Sequence, residues 1–203
     1  TTEQQEMSLS LTRDGFLAHK DKGVEEFKVE STTSSPSTVY LLEVFYTDAQ
    51  GRPMNNQFID NGQDRIHQHF FRRYTERELG GKARIYPINK LEELGYDYRY
   101  ADITPWDKPY TSPESRFTGV SNPMGFKGLI RFTEADLRFH LTILLMHAHE
   151  PKYRIDPKTQ RSLFMPFYNN DAFAISQEAD ISIDVPITVD KGSKDERLAK
   201  YRK

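Results

Sequence analysis

Apolar and polar positions along this chain recur mainly with the period of strands. Val39–Tyr46 (VYLLEVFY) is a run of β-branched and aromatic residues closed by the turn Asp48-Ala49-Gln50-Gly51. Tyr96–Ile103 (YDYRYADI) alternates tyrosines with polar residues, which makes one face aromatic. Phe126–Phe132 and Leu137–His147 are separated by Thr133-Glu134-Ala135-Asp136, and the pair predicts a β-hairpin. In Leu137–His147 the residues Phe139, Leu141, Ile143 and Leu145 share one face; Arg138, His140 and Thr142 share the other. Ile181–Val189 points Ile181, Ile183, Val185, Ile187 and Val189 inward. Pro186 then points outward, and its missing N–H predicts an edge strand. Met7–Leu11 and Val24–Val29 are weaker strand candidates.

Helix signals are few. Asn89–Gly95 predicts one or two turns, with Asn89 as N-cap and Gly95 as the stop. In residues 64–79, Ile66, Phe70, Tyr74 and Leu79 have roughly helical spacing, between Asp64 as a cap and Gly80 as a terminator. The aromatic density of His67–Tyr74 (HQHFFRRY) is that of a strand, and strand over 66–74 is the expectation. Ser31–Ser37 is a turn or short linker, and 104–123 and 150–170 are long loops punctuated by proline. Asp190–Lys203 holds six Lys/Arg against three Asp/Glu, which predicts a solvated tail. The pattern as a whole predicts an all-β protein. The expected architecture is an antiparallel β-sandwich, or barrel-like fold, of about seven to ten strands with long loops and one or two short helices. One domain would cover 1–189, followed by a basic tail over 190–203.

Composition narrows the function classes. The 203 residues include no cysteine, which excludes disulfides, thiolate metal ligands and a Cys nucleophile within this chain. The formal charge of −2 leaves no electrostatic footprint for nucleic acid. No run of about 18 apolar residues is present to span a membrane as a helix. A phosphate loop, G-x-G-x-x-G, H-E-x-x-H and the G-x-S-x-G elbow are all missing. Those absences weigh against an enzyme without deciding the matter.

Two patterns could carry chemistry. His67-Gln68-His69 and His147-Ala148-His149 are four of the six histidines. In a strand, residues i and i+2 share a face about 7 Å apart. Each pair could therefore contribute to one metal shell, with zinc, copper or non-haem iron as candidates. The bland alternative is that these histidines bond backbone carbonyls at strand ends. If 64–79 were helical, His67 and His69 would diverge and the first pair would vanish. The second pattern is Trp106-Asp107-Lys108-Pro109-Tyr110, whose Trp106, Asp107 and Tyr110 could stack on and hydrogen-bond a sugar or a protein partner. Its bland alternative is Trp106 folded over an open end of the sandwich as a plug. Glu43, Asp180 and Asp184 are further carboxylates on or beside strands, with nothing to show that any two meet. Arg72 and Arg73 with Arg65 could bind an anion, but solvated surface is the expectation.

Four phrases add a resemblance: Asp64–Phe71 (DRIHQHFF), Asp102–Asp107 (DITPWD), Asn122–Gly128 (NPMGFKG) and Asp180–Val189 (DISIDVPITV). Together they resemble a group of uncharacterised envelope lipoproteins from Gram-negative gut bacteria. The resemblance implies a small β-rich module at the periplasm or outer-membrane surface, anchored by lipid on a Cys that would precede Thr1. It brings no activity and no catalytic residues. The function expected from the sequence is thus a non-enzymatic binding or structural module of the envelope, recognising a glycan, peptide or partner protein. The alternative is a metal-binding protein or metal-dependent enzyme using the two His-x-His pairs.

Overall fold

The computed structural model describes residues 4–14, 17–79, 81–160, 162–163, 168–169 and 178–191. The predicted basic tail lies outside the described residues beyond Lys191. The strands are β1 (Met7–Leu11), β2 (Leu17–Gly23), β3 (Phe27–Val29), β4 (Tyr40–Glu43), β5 (His67–Leu79), β6 (Lys82–Pro87), β7 (Tyr96–Tyr100), β8 (Ile103–Thr104), β9 (Arg116–Phe117), β10 (Lys127–Phe132), β11 (Arg138–His147), β12 (Arg154–Ile155), β13 (Ser162–Leu163) and β14 (Glu178–Val189). Among the described residues, helix is limited to short 3₁₀ turns at 55–58, 60–65 and 91–93. The chain is all-β and sandwich-like, and its sheets do not close into a barrel.

A five-stranded sheet runs in the order β3-β14-β11-β5-β6, and a three-stranded sheet in the order β4-β10-β7. Their facing sides make the main core. Phe71, Phe139, Leu141, Ile143, Val185, Ile187 and Val189 come from the larger sheet; Tyr96, Tyr98, Ile130 and Phe132 come from the smaller. Strand alternation puts these residues on one side of each strand, and burying them supplies the main driving force. Phe71 stacks on Tyr98 at 4.0 Å between ring centroids, and Tyr96 on Phe139 at 5.8 Å.

The ambiguous segment is a strand, as expected, and the structure explains the ambiguity. From His67 to Arg72 every side chain of β5 is buried. One face packs into the inter-sheet core through Phe71, while Phe70 on the other face packs with Met146 and Ala148. A strand buried on both faces has no polar alternation to display.

Four expectations are corrected. The β10–β11 pair is not a hairpin, because the two strands belong to different sheets. Turn residues Thr133 and Glu134 donate their N–H groups to Gly95 O, and Asp136 donates to Asp190 O. The connection is therefore an arch across the sandwich, tied to other segments instead of closing on itself. Pro186 does not mark a strand at the end of the sheet, because β14 lies between β11 and β3. Parallel pairing with β3 covers only Ile187–Val189, however, and Pro186 falls just before it. Asn89 is not an N-cap; Lys90 occupies that position, with no side-chain cap bond, and Gly95 ends the turn at φ +76° as its freedom allows. Arg72 is buried with its guanidinium 5.0 Å from the Tyr74 ring centre, and Arg73 donates to Leu94 O at 2.8 Å. Neither is the solvated surface expected.

One glycine marks a close approach between β10 and β7. A Cβ added at Gly128 would lie 2.1 Å from the Tyr98 hydroxyl and 2.2 Å from its Cζ. Tyr98 is buried and stacked on Phe71, so its ring has little room to yield. Gly128→Ala is expected to destabilise the fold by about 1–3 kcal/mol through overpacking. Urea unfolding checks this, and an unchanged midpoint would show that the ring moves freely.

Candidate metal centre

Three strand ends meet at one edge of the larger sheet. β5 begins with His67, β11 ends with His147, and the two residues are direct cross-strand partners. Their ring centroids lie 4.5 Å apart. The third participant, Asp180, comes from β14 by way of a bulge. Leu145 pairs with Ile181 and Met146 with Ala179, so Asp180 is the extra residue on its strand. Strict alternation from Ile181 would turn Asp180 to the opposite face. The bulge turns it toward the histidines.

The Asp180 carboxylate places Oδ2 at 3.1 Å from His67 Nε2 and 3.5 Å from His147 Nδ1. All three ligand atoms lie within 4.8 Å of one another. In a tetrahedral centre with bonds near 2.0–2.1 Å, two donors are about 3.3 Å apart. The two carboxylate separations bracket that distance.

The hydrogen-bond pattern defines the tautomer of His67. Its Nδ1 lies 2.9 Å from Gln63 O, which can only accept, so Nδ1 carries the hydrogen. In the neutral ring Nε2 then presents a lone pair to the carboxylate oxygen. Two acceptors facing each other at 3.1 Å require a proton or a cation between them. The bond to the carbonyl is also the support that orients metal-binding histidines.

The other predicted ligands do not join this cluster. His69 is fully buried, and both its ring nitrogens are engaged. Nδ1 donates to Met124 O at 2.7 Å, and Nε2 accepts from the Tyr46 hydroxyl at 2.8 Å. Burial pushes its pKa down to about 4 against the pull of the Met124 carbonyl, so it is a neutral structural residue near pH 7. His149 lies beyond the end of β11, is exposed, and does not converge with the cluster. The strand geometry behind the second His-x-His pair stops at His147.

The wall inside the cluster is apolar and aromatic. Phe58, Met124, Phe126 and Leu145 are buried there, with Tyr46, Ile59, Trp106 and Ile181 packed against them. Phe58 meets His67 edge-on at 5.4 Å. Burial and the nearby charge of Asp180 hold the Tyr46 phenol well above its usual range, so its hydroxyl remains a donor to His69.

The loop beneath this wall is fixed from two sides. Asp102 accepts the backbone N–H groups of Met124 and Gly125 on Oδ2 and those of Phe126 and Lys127 on Oδ1. Burial pushes the Asp102 carboxyl up, while these N–H groups and the Lys152 charge act in the opposite sense. The Lys152 ammonium donates to His67 O at 2.6 Å and to Pro123 O, and its backbone N–H donates to Arg65 O. Burial pulls its pKa down to about 7, opposed by Asp102 and Asp64.

The aromatic loop meets this wall through Trp106 and contributes no ligand to the cluster. Trp106 is half-buried, 5.8 Å from Phe126 and 6.1 Å from Phe45, and its indole N–H donates to Asn56 Oδ1. Tyr110 is partly exposed; its hydroxyl donates to Ala101 O at 2.6 Å and its ring lies 5.2 Å from the Lys127 ammonium. Asp107 is exposed.

The sequence points to His67 and His147 but not to Asp180 as their partner, because the signal for Asp180 is a bulge and not a spacing. Comparison with protein families, curated proteins and solved structures found no match to this chain.

Proposed function

We propose that the protein is a metal-binding module that holds one divalent first-row transition ion through His67 Nε2, His147 Nδ1 and Asp180 Oδ2. The observation that carries the reading is the convergence of His67 Nε2 and His147 Nδ1 on the same Asp180 oxygen, with the three ligand atoms within 4.8 Å of one another. Two imidazoles and one carboxylate suit zinc, iron(II) and neighbouring ions better than the all-oxygen preferences of calcium or magnesium. Asp180, in place of His69 and His149, distinguishes this centre from a four-histidine shell.

The experiment is metal analysis of protein purified without a histidine tag, followed by unfolding with and without a chelator. About one ion per chain is expected. At free metal 100-fold above Kd, the bound form should gain about 2.7 kcal/mol. For a domain of this size that is a rise in Tm of about 5–10 °C. Sub-stoichiometric metal together with a chelator-independent Tm would refute the reading.

The envelope setting implied by the resemblance belongs to the same proposal, and so does recognition of a glycan or partner protein through Trp106, Asp107 and Tyr110. Geometry supports the recognition reading less. The Trp106 ring is engaged with Phe45 and Phe126, and Tyr110 is tethered by its hydroxyl.

A further inference from the structure

We infer that an ion in this centre keeps exchangeable coordination positions on its solvent side, and that these positions take a small anionic donor such as a carboxylate or phosphate oxygen. The inference rests on the metal reading and goes beyond it. It makes the centre a site that binds a second ligand, instead of a staple between strand ends.

The first support is the number of donors. Among the described residues three ligand atoms converge, and no fourth histidine or carboxylate joins them. The histidine best placed by sequence to complete the shell, His69, has one ring nitrogen on Met124 O and the other on the Tyr46 hydroxyl. Three protein donors leave at least one position open in a four-coordinate ion and more in a larger shell.

The second support is the direction of access. The side chain of His67 is 4 % exposed, while those of His147 and Asp180 are 42 % and 34 % exposed. Phe58 and its apolar neighbours close the inner side. The open positions therefore face water from the side of His147 and Asp180, where a small ligand can approach without moving the core.

The third support is charge. Two neutral imidazoles and one carboxylate carry −1, so a divalent ion leaves the centre at +1. A cationic centre with labile positions attracts anions over neutral ligands or cations.

Co²⁺ loading reports the two layers of the inference separately. A visible absorption band should form in the wild type and be lost in His147→Ala, a half-exposed position where circular dichroism should show the fold retained. Azide, then acetate and inorganic phosphate, should change that band saturably at millimolar concentration. A band that forms but is unmoved by excess azide overturns the open positions and leaves the metal reading intact. If no band forms in the wild type, the metal reading falls and this inference falls with it. A response to azide that is absent with acetate and phosphate confirms open positions and overturns the assignment to oxygen donors.

Discussion

Asp102→Ala should lower stability by about 4–5 kcal/mol, the upper end of what one substitution does in a small domain. Four consecutive backbone N–H groups, from Met124 to Lys127, end on its two oxygens at 2.8–3.1 Å. Asp102 is 3 % exposed, so water has no easy route to replace its carboxylate. Each hydrogen bond to a charged group contributes about 1.5–3 kcal/mol, and each orphaned buried donor costs about 1–3 kcal/mol. These terms overlap strongly because the four donors share one acceptor. Asp102→Asn should lose less than Ala does, since its amide keeps one carbonyl oxygen for two of the donors. Urea unfolding of both variants checks the order. An Ala variant within about 1 kcal/mol of wild type would mean that the loop finds other acceptors. The change should also reach the candidate centre, because Met124 O orients His69 and Met124 packs in the wall beside it.

His67→Ala and Asp180→Ala should each weaken divalent-metal binding by about 100-fold or more, while His149→Ala should leave it unchanged. Loss of a supporting partner alone typically costs 10–100-fold in affinity, and loss of a direct ligand exceeds that. Competition against a coloured chelator measures all three variants on one scale. His69→Gln is the informative fourth. Its ring supports the wall without joining the ligand set, so its effect on affinity should stay within about 10-fold. A loss at His69 or His149 equal to that at His67 would restore the four-histidine shell and discard Asp180. Equal affinity in all variants would place any bound ion elsewhere.

The sequence was informative wherever one residue's own chemistry decided the outcome. Alternation placed Phe139, Leu141, Ile143, Val185, Ile187 and Val189 in the core, because a one-residue slip would expose the whole set. Gly95 stopped its turn because a positive φ is cheap only without a Cβ. The strand at His67 was legible from aromatic density, though burial on both faces removed the alternation that would have made it plain. The same local signals misled where a neighbour mattered. Thr133–Asp136 has the composition of a hairpin turn, yet its N–H groups found partners on Gly95 and Asp190, so the chain crossed between sheets.

The candidate centre divides in the same way. That histidines near 67 and 147 belonged to strands was readable from the chain by itself. Which of them meet was set by register between β5 and β11, and register is a property of the sheet. His69 sits on the favoured face but was diverted by Met124 and Tyr46, 55 and 23 residues away in the chain. Asp180 joined because a bulge adds one residue to β14 opposite β11 and reverses which way that side chain points. The all-β pattern and most of the core were thus determined by the sequence through the two-residue period of a half-buried strand. The pairing of sheets and the convergence of His67, His147 and Asp180 were decided only by the tertiary structure, because hydrogen-bond partners and strand register come from segments distant in the chain.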